Sequence, residues 1–441
     1  MNRLLSFRGG THPPEGKERT AGKAIERAAA PPVVTIPLKQ HIGQICDPLV
    51  SVGSRVKAGQ KIGERKDALS VPVHASVSGT VRAVGDAPHP VDGRGPAISI
   101  ENDGLDTPAE VIGRADPEDM SPGDIVQAVY EAGIVGMGGA AFPTYAKLTP
   151  PSDKPMRTVV LNGAECEPYL TADHRLMLEQ PEDIIFGLKA IMKAVGAELG
   201  YIGIENNKAD AVRAMIAAAA AEKSIRVVSL RTKYPQGAEK QLINVITGEE
   251  VPSGGLPHDI GVVVNNVGTA AAVAAALRTG RPLIERVVTV TGTIVREPKN
   301  LLVKMGTSFG DLLEQCGGTT EEPAKMLSGG PMMGIAQTDY AAPVIKGTSG
   351  IVVLSAAEAV APPDSPCIRC GRCAEACPMR LMPLTLDAMA AKGDYDACRE
   401  AGVLDCIECG SCSFVCPSKR RLLESIREGK AAVKDRMKSK R

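Results

Sequence analysis

The 441 residues carry 51 Lys and Arg against 51 Asp and Glu, a formal net charge of zero, so overall charge gives no case for a nucleic-acid binder. At 44% hydrophobic and 23% charged the chain has an ordinary globular balance, enough for sizeable cores in roughly two to four domains. With 46 Gly, 33 Pro and only 3% aromatics, many tight loops are expected rather than a helical bundle. No apolar run reaches the ~18 residues of a membrane span, and Met1–Gly16 has no signal-peptide core. The chain is therefore expected to be soluble or peripheral. Eight of the 12 cysteines fall in two short runs; Cys46, Cys166, Cys316 and Cys398 are scattered, a pattern of a reducing compartment.

In chain order, 1–32 reads as an irregular extension. Residues 33–115 read as short strands, among them Val33–Leu38, broken by turns at Gly53, Gly59, Gly79 and Gly85. The repeated phrasing of 52–63 and 73–81 resembles the half-barrels of the biotinyl/lipoyl family. The hairpin tip Asp67-Ala68-Leu69-Ser70 lacks the carrier lysine, so a barrel-sandwich without a swinging arm is expected. Residues 116–283 read as α/β. A helix is expected over Pro122–Ala132, then the glycine loop Gly133–Thr144. Strands are expected at Arg157–Leu161, Leu199–Ile204, Ile225–Leu230 and Ile260–Asn265, with helices at Ile184–Val195, Lys208–Ala221 and 270–277. Strand–helix–strand at these lengths implies a mostly parallel sheet. Residues 284–361 return to β, with a hairpin pattern around Gly292, a helix over Ser308–Cys316, a Gly/Pro loop at 329–334 and a strand at Gly350–Leu354. Pro362-Pro363 lead into the last domain, 362–420.

That domain holds Cys367-x2-Cys370-x2-Cys373-x3-Cys377-Pro378 and the same spacing at Cys406, Cys409, Cys412, Cys416 and Pro417. Cysteines at steps of three wrap one face of an iron–sulfur cube. Zinc and disulfides are the alternatives; neither calls for two full copies with a third cysteine at the same step and a terminal proline. The runs resemble ferredoxin-type two-cluster domains. That resemblance implies cross-ligation: Cys367, Cys370, Cys373 and Cys416 on cluster one, and Cys377, Cys406, Cys409 and Cys412 on cluster two, both [4Fe–4S]. The 28 residues between Cys377 and Cys406 predict a helical insertion, with helices between Leu381 and Glu400 split at Gly393. The tail 421–441 is basic, and its Leu422-Leu423-x-x-Ile426 stripe could meet an anionic membrane or a partner, or be a solvated helix end.

Gly136-Met137-Gly138-Gly139 is neither a dinucleotide fingerprint nor a Walker loop; alone it is a turn that could offer N–H groups to a phosphate. In combination, four segments resemble the RnfC/RsxC family, the C subunits of Rnf-type ferredoxin:NAD oxidoreductases, and more distantly the FMN- and NADH-binding subunit of respiratory complex I. They are Gly136–Lys147, Asn162–Pro168 with Asp173-His174-Arg175, Lys233–Lys240, and Asn265–Thr269. The resemblance implies a multidomain α/β chain: barrel-sandwich, Rossmann-like FMN/NADH domain, SLBB-type β-grasp domain and helical two-cluster domain. It implies FMN and NAD(H) bound by Gly136, Gly138, Gly139, Phe142, Lys147, Asn162, Glu165, Gly237, Glu239, Asn265, Asn266 and Thr269. Phe142 is expected to stack near the nicotinamide or adenine, and Glu165 and Glu167 to line the nucleotide pocket. Met137 and Ala238 depart from the complex I relatives, which carry an arginine and an acid there.

A flavin between NAD(H) and one-electron clusters fits these parts, because it exchanges both hydride and single electrons. No catalytic residue beyond the cofactors is demanded. The implied role is a peripheral subunit, on the cytoplasmic face of the inner membrane, of a ferredoxin:NAD oxidoreductase coupled to Na+ or H+ movement. Other membrane subunits would be its partners, and ferredoxin would be reached indirectly. The rival is a relay or assembly subunit with clusters but no working flavin site.

Overall fold

The computed structural model describes residues 4–110, 119–360 and 363–439. Pro362 and the boundaries expected at 115/116 and 361/362 lie outside them.

Residues 33–102 form two small antiparallel sheets around a core of Val34, Ile36, Ile62, Val73, Val81, Ile98 and Ile100. Gly79 (φ +154°) sits where an added Cβ would be 1.8 Å from the Glu101 carbonyl, so no other residue fits this close approach. Gly85, expected as a turn, lies inside the long strand Gly79–His89, paired with Ala97. A Cβ added there would meet nothing within 4 Å, so the position is open to any side chain the strand could carry.

The α/β unit is built on four parallel strands in the order Ile225–Leu230, Leu199–Glu205, Thr158–Gly163, Val262–Asn266. The chain leaves Thr158–Gly163 toward Leu199–Glu205 on one side and returns to Val262–Asn266 on the other. The order therefore reverses beside Thr158–Gly163, and the crevice outside the carboxyl ends of these neighbouring strands is where such sheets bind ligands. Helices Pro181–Val195 and Val267–Thr279 cross closely on one face. Gly187 permits it, since a Cβ there would come 1.9 Å from the Ala270 carbonyl. Two helices not expected from sequence, Ala172–Glu179 and Glu239–Thr247, flank the crevice.

The next sheet has six strands. Glu285–Thr291 pairs antiparallel with Lys299–Lys304 and parallel with Gly350–Leu354. The hairpin expected around Gly292 forms with a longer loop: Glu285–Thr291 and Lys299–Lys304 pair antiparallel across residues 292–298. Gly292 (φ +134°) ends its strand against Val353, and the partner strand begins seven residues later. This sheet and one face of the parallel sheet share a continuous core that includes Val159, Leu161, Ile184, Leu188, Val288, Val290, Phe309 and Val353.

Residues 4–32 do not hang off the body. Leu5 bridges Leu230, Thr11 pairs with Tyr234, and Ile25–Arg27 joins the six-stranded sheet beside Asn300–Leu302. The segment straps three units together.

The C-terminal lobe packs helices Pro383–Ala391, Tyr395–Glu400 and Leu422–Ser439 around Leu386, Cys398, Val403, Leu422, Ile426 and Val433. The apolar stripe of the basic tail is thus spent on its own lobe. No helix among the described residues is long and apolar enough to cross a membrane.

Candidate flavin and cluster sites

The crevice floor is laid by the strand ends. Asn162 and Asn266 are register partners. The Asn162 amide donates to the Gly237 carbonyl (2.8 Å) and its oxygen accepts from the Ala164 N–H (3.1 Å). Asn266 caps helix Val267–Thr279 by accepting from the Gly268 N–H (2.8 Å), and donates to the Asp173 carboxylate (2.6 Å). Thr269, fully buried, accepts the Met137 N–H (3.0 Å) and so ties the glycine loop to the helix start. Arg286, buried, donates to the carbonyls of Met137 (3.3 Å) and Lys346. Gly138 and Gly139 remain exposed, while the Met137 side chain enters the core. Phe142 is half-buried. Lys147 reaches the Glu239 carboxylate (3.1 Å) and the Val264 carbonyl (3.0 Å) across the mouth. Ala238 precedes helix Glu239–Thr247 and offers it no side-chain cap.

Two groups fit a missing ligand. Asn265 is 3% exposed, and neither atom of its side-chain amide has a partner; the buried Thr144 hydroxyl is unpartnered too. A buried polar group left bare costs about 1–3 kcal/mol. These orphans beside exposed loop glycines suit a flavin with polar ring edges and a phosphate.

The two glutamates are otherwise engaged. Glu165, at φ +46°, turns its carboxylate onto the start of helix Ala172–Glu179, accepting from Asp173 N (2.7 Å) and His174 N (3.2 Å). The formal N-cap, Thr171, makes no side-chain cap bond. A carboxylate at a helix N-terminus meets unpaired N–H groups and the positive dipole end. Burial, with the Glu165 charge beside it, pushes the Asp173 carboxyl up to about 7. Glu167 faces the Gly329–Gly334 loop, accepting from Met332 N (3.0 Å); burial raises it to about 7. Beneath both, the buried Lys17 ammonium donates to the carbonyls of Glu165 (2.8 Å), Glu167 (3.0 Å) and Leu170. This strap lysine shapes the loop, and the sequence held no sign of it. Burial raises Cys166 to about 12, and its sulfur accepts the Gly237 N–H at 3.3 Å, so it is held as a thiol.

Cys367, Cys370, Cys373 and Cys416 line one opening, with Gly371, Leu384, Pro417 and Arg420. The thiols of Cys377, Cys406 and Cys412 are all pushed up, by burial first and then by the nearby Cys409, which places the four together. The two runs repeat their backbone: Arg369 and Glu408, Gly371 and Gly410, and Arg380 and Lys419 all have positive φ. Arg369 N and Glu408 N donate to the sulfurs two residues back, at 3.3 and 3.4 Å. The two sets differ in setting. Cys367 and Cys370 are exposed, whereas Cys409 and Cys412 are buried. The second set also abuts the flavin unit. Tyr234 Oη donates to the Cys409 carbonyl (2.8 Å), Gly10 N to the Ala376 carbonyl (2.9 Å), and Gln241 to the Pro378 carbonyl (3.2 Å).

Comparison with known proteins agrees with this anatomy. Residues 5–105 match the RnfC barrel sandwich hybrid domain, 129–275 the Nuo51 FMN-binding domain, 287–336 the SLBB domain and 366–423 the 4Fe-4S dicluster domain. Similar chains include the C subunits of three complexes. That of the Na(+)-translocating ferredoxin:NAD(+) oxidoreductase complex of Acetobacterium woodii is 50% identical, over 97% of each chain. That of the proton-translocating ferredoxin:NAD(+) oxidoreductase complex of Clostridium ljungdahlii is 51% identical, over 96% of this chain and 93% of that one. That of the ion-translocating oxidoreductase complex of Rhodobacter capsulatus is 43% identical, over 99% and 85%. Among solved structures, a chain of an NAD+-reducing [NiFe]-hydrogenase shares the fold, at TM-score 0.52 and 21% identity over 73% of this chain and 67% of that one. With an FMN-binding domain and a 4Fe-4S dicluster domain joined in one chain of this length, the protein belongs to the RnfC family, the C subunits of Rnf-type ion-translocating ferredoxin:NAD(+) oxidoreductase complexes.

Proposed function

We propose that this subunit exchanges electrons between NAD(H) and the rest of its membrane complex through FMN, then cluster two, then cluster one. The observation that carries the order is burial. The cysteines of the second set face the flavin unit through Tyr234, Gly10 and Gln241, while two ligands of the first set lie at the surface. FMN, when bound, supplies the conversion between hydride and single-electron transfer. Gly136, Gly138, Gly139, Lys147, Asn162, Gly237, Asn265, Asn266 and Thr269 would hold it, with Asn265 and Thr144 offering unpaired groups. Phe142 and Glu239 stand at the mouth, where NAD(H) would enter. Glu165, with both carboxylate oxygens on backbone N–H groups, shapes the loop, while Glu167 holds Met332 N through one oxygen and leaves the other, buried and unpartnered, to the pocket.

Lys17 fixes the 165–170 loop, Lys147 places a cation at the mouth, and Thr269 with Arg286 fixes the glycine loop from both sides. The surface ligands of cluster one make it the exit toward partner subunits, and ferredoxin is reached through them. The coupled ion, Na+ or H+, moves in those subunits, and this chain sits peripherally on the cytoplasmic face.

The test is anaerobic purification with iron and flavin assay, then NADH titration. About eight iron atoms and one FMN per chain, with flavin bleaching, support the reading. Full iron with no flavin and no NADH response after FMN is supplied would leave a relay subunit.

A further inference from the structure

We propose that Gln236 is a positioning residue of the flavin-to-cluster gap, donating a side-chain N–H to the sulfur shell of cluster two. The inference rests on the reading of Cys377, Cys406, Cys409 and Cys412 as the ligands of that cluster. Gln236 is 0% exposed, and neither Nε2 nor Oε1 of its amide has a hydrogen-bond partner. An amide donor buried bare is costly, at roughly 1–3 kcal/mol, so cluster sulfur accepting from Nε2 accounts for the donor end.

Its neighbours in sequence bracket the gap. Two residues before it, Tyr234 crosses to the cluster lobe at the Cys409 carbonyl. Five residues after it, Gln241 Nε2 crosses to the same lobe, at the Pro378 carbonyl and the Met379 sulfur (3.2 and 3.1 Å). The next residue, Gly237, belongs to the flavin cradle through its carbonyl bond with Asn162. Gln236 thus stands between the two sites. The flavin side is open: Gly138, Gly139 and Glu239 are exposed, and Asn162 and Gly237 are half-buried. The cluster side is closed, with Cys409 8% and Cys412 9% exposed. Because the residues bracketing it on both sides, Tyr234 and Gln241, reach the cluster lobe, we place the Gln236 amide on that side.

Hydrogen bonds to cluster sulfur are one of the means by which a protein sets cluster potential. The donor favours the reduced cluster, whose sulfurs carry more negative charge. Gln236 would raise the potential of cluster two and so favour electron arrival from the flavin.

The test uses full-length holoprotein carrying Gln236→Leu, which keeps the bulk and removes the donor. EPR-monitored redox titration should show one cluster, the one lost in Cys409→Ser, becoming about tenfold harder to reduce, a fall of ~59 mV for one electron. The other cluster and FMN affinity should not change. Should Gln236→Leu not fold, unmutated protein labelled with 15N in glutamine side chains serves instead. Pulsed EPR of reduced cluster two should then show a 15N coupling. Unmoved cluster potentials with both clusters present, or no 15N coupling, would overturn the inference while leaving the cluster assignment intact. Weakened FMN binding with unmoved potentials would overturn it too and move Gln236 to the flavin. Absence of cluster two from the unmutated protein would instead defeat the underlying reading.

Discussion

Gly9→Ala tests the strap that joins the flavin unit to the cluster lobe. Gly9 has φ +87°, and an added Cβ would lie 2.8 Å from the Cys377 carbonyl oxygen. The left-handed conformation costs an L-residue about 1–2 kcal/mol, and overpacking against backbone adds about 1–3 kcal/mol. The carbonyl cannot easily withdraw, because it accepts the Arg380 N–H bond that shapes the turn after Cys377 (3.2 Å), and Gly10 N is bonded next door to Ala376. The sum, about 2–5 kcal/mol, should fall on local opening of the strap, raising it about 30-fold to several thousand-fold at 1.4 kcal/mol per decade. Amide hydrogen exchange of Gly10 and Thr11 in the holoprotein reads this directly. Gly53→Ala is the control, since Gly53 shares φ +87° but has nothing within 4 Å. It should show the conformational cost alone. If Gly9→Ala exchanges like the parent, or no more than the conformational cost measured at Gly53 allows, the close approach to Cys377 is wrong.

Other outcomes follow from the site. Asn265→Leu removes a buried amide that nothing among the described residues satisfies; the flavin-free chain should be as stable or more so, by up to about 2 kcal/mol. FMN binding, followed by flavin fluorescence, should weaken about ten- to hundredfold; unchanged affinity would remove Asn265 from the cradle. Glu167 gives a pH dependence. Its carboxyl is raised from 4.5 to about 7 in the folded chain, so the folded state holds a proton that the unfolded state has lost. Stability should therefore fall as pH rises from about 4.5 to 7, with a limit of order 3 kcal/mol at 1.36 kcal/mol per pH unit. Glu167→Gln keeps an acceptor for Met332 N and should flatten that part of the urea-denaturation profile; an unchanged slope would show the proton is held elsewhere.

What was legible in the sequence follows from how local each signal is. Iron–sulfur ligation depends on spacing within a dozen residues, so both runs and their glycines could be read directly. Strands such as Ile225–Leu230 and Gly350–Leu354 carry their own apolar residues and match the structure at both ends. Helix Ala172–Glu179 was hidden because its cap comes from Glu165, six residues before Thr171, through a left-handed turn. The strap carried no periodicity because its partners, Leu230, Tyr234, Ala376 and Asn300, come from three different units. Lys17 looked like any surface lysine, yet it gathers three carbonyls from 148 to 153 residues away. Glu165 and Glu167 were expected at the nucleotide from the family resemblance; that backbone donors also engage them, Glu165 through both oxygens and Glu167 through one, only coordinates reveal.

The most direct measurement of the electron path removes one cluster at a time. In Cys370→Ser and Cys409→Ser holoproteins, each checked by EPR for its remaining cluster, NADH is added anaerobically and both flavin bleaching and cluster reduction are followed. The proposed order predicts that the Cys370→Ser protein still reduces its remaining cluster rapidly. The Cys409→Ser protein should bleach its flavin while the surface cluster stays oxidised or fills far more slowly. Rapid reduction of the surface cluster without cluster two would contradict the path.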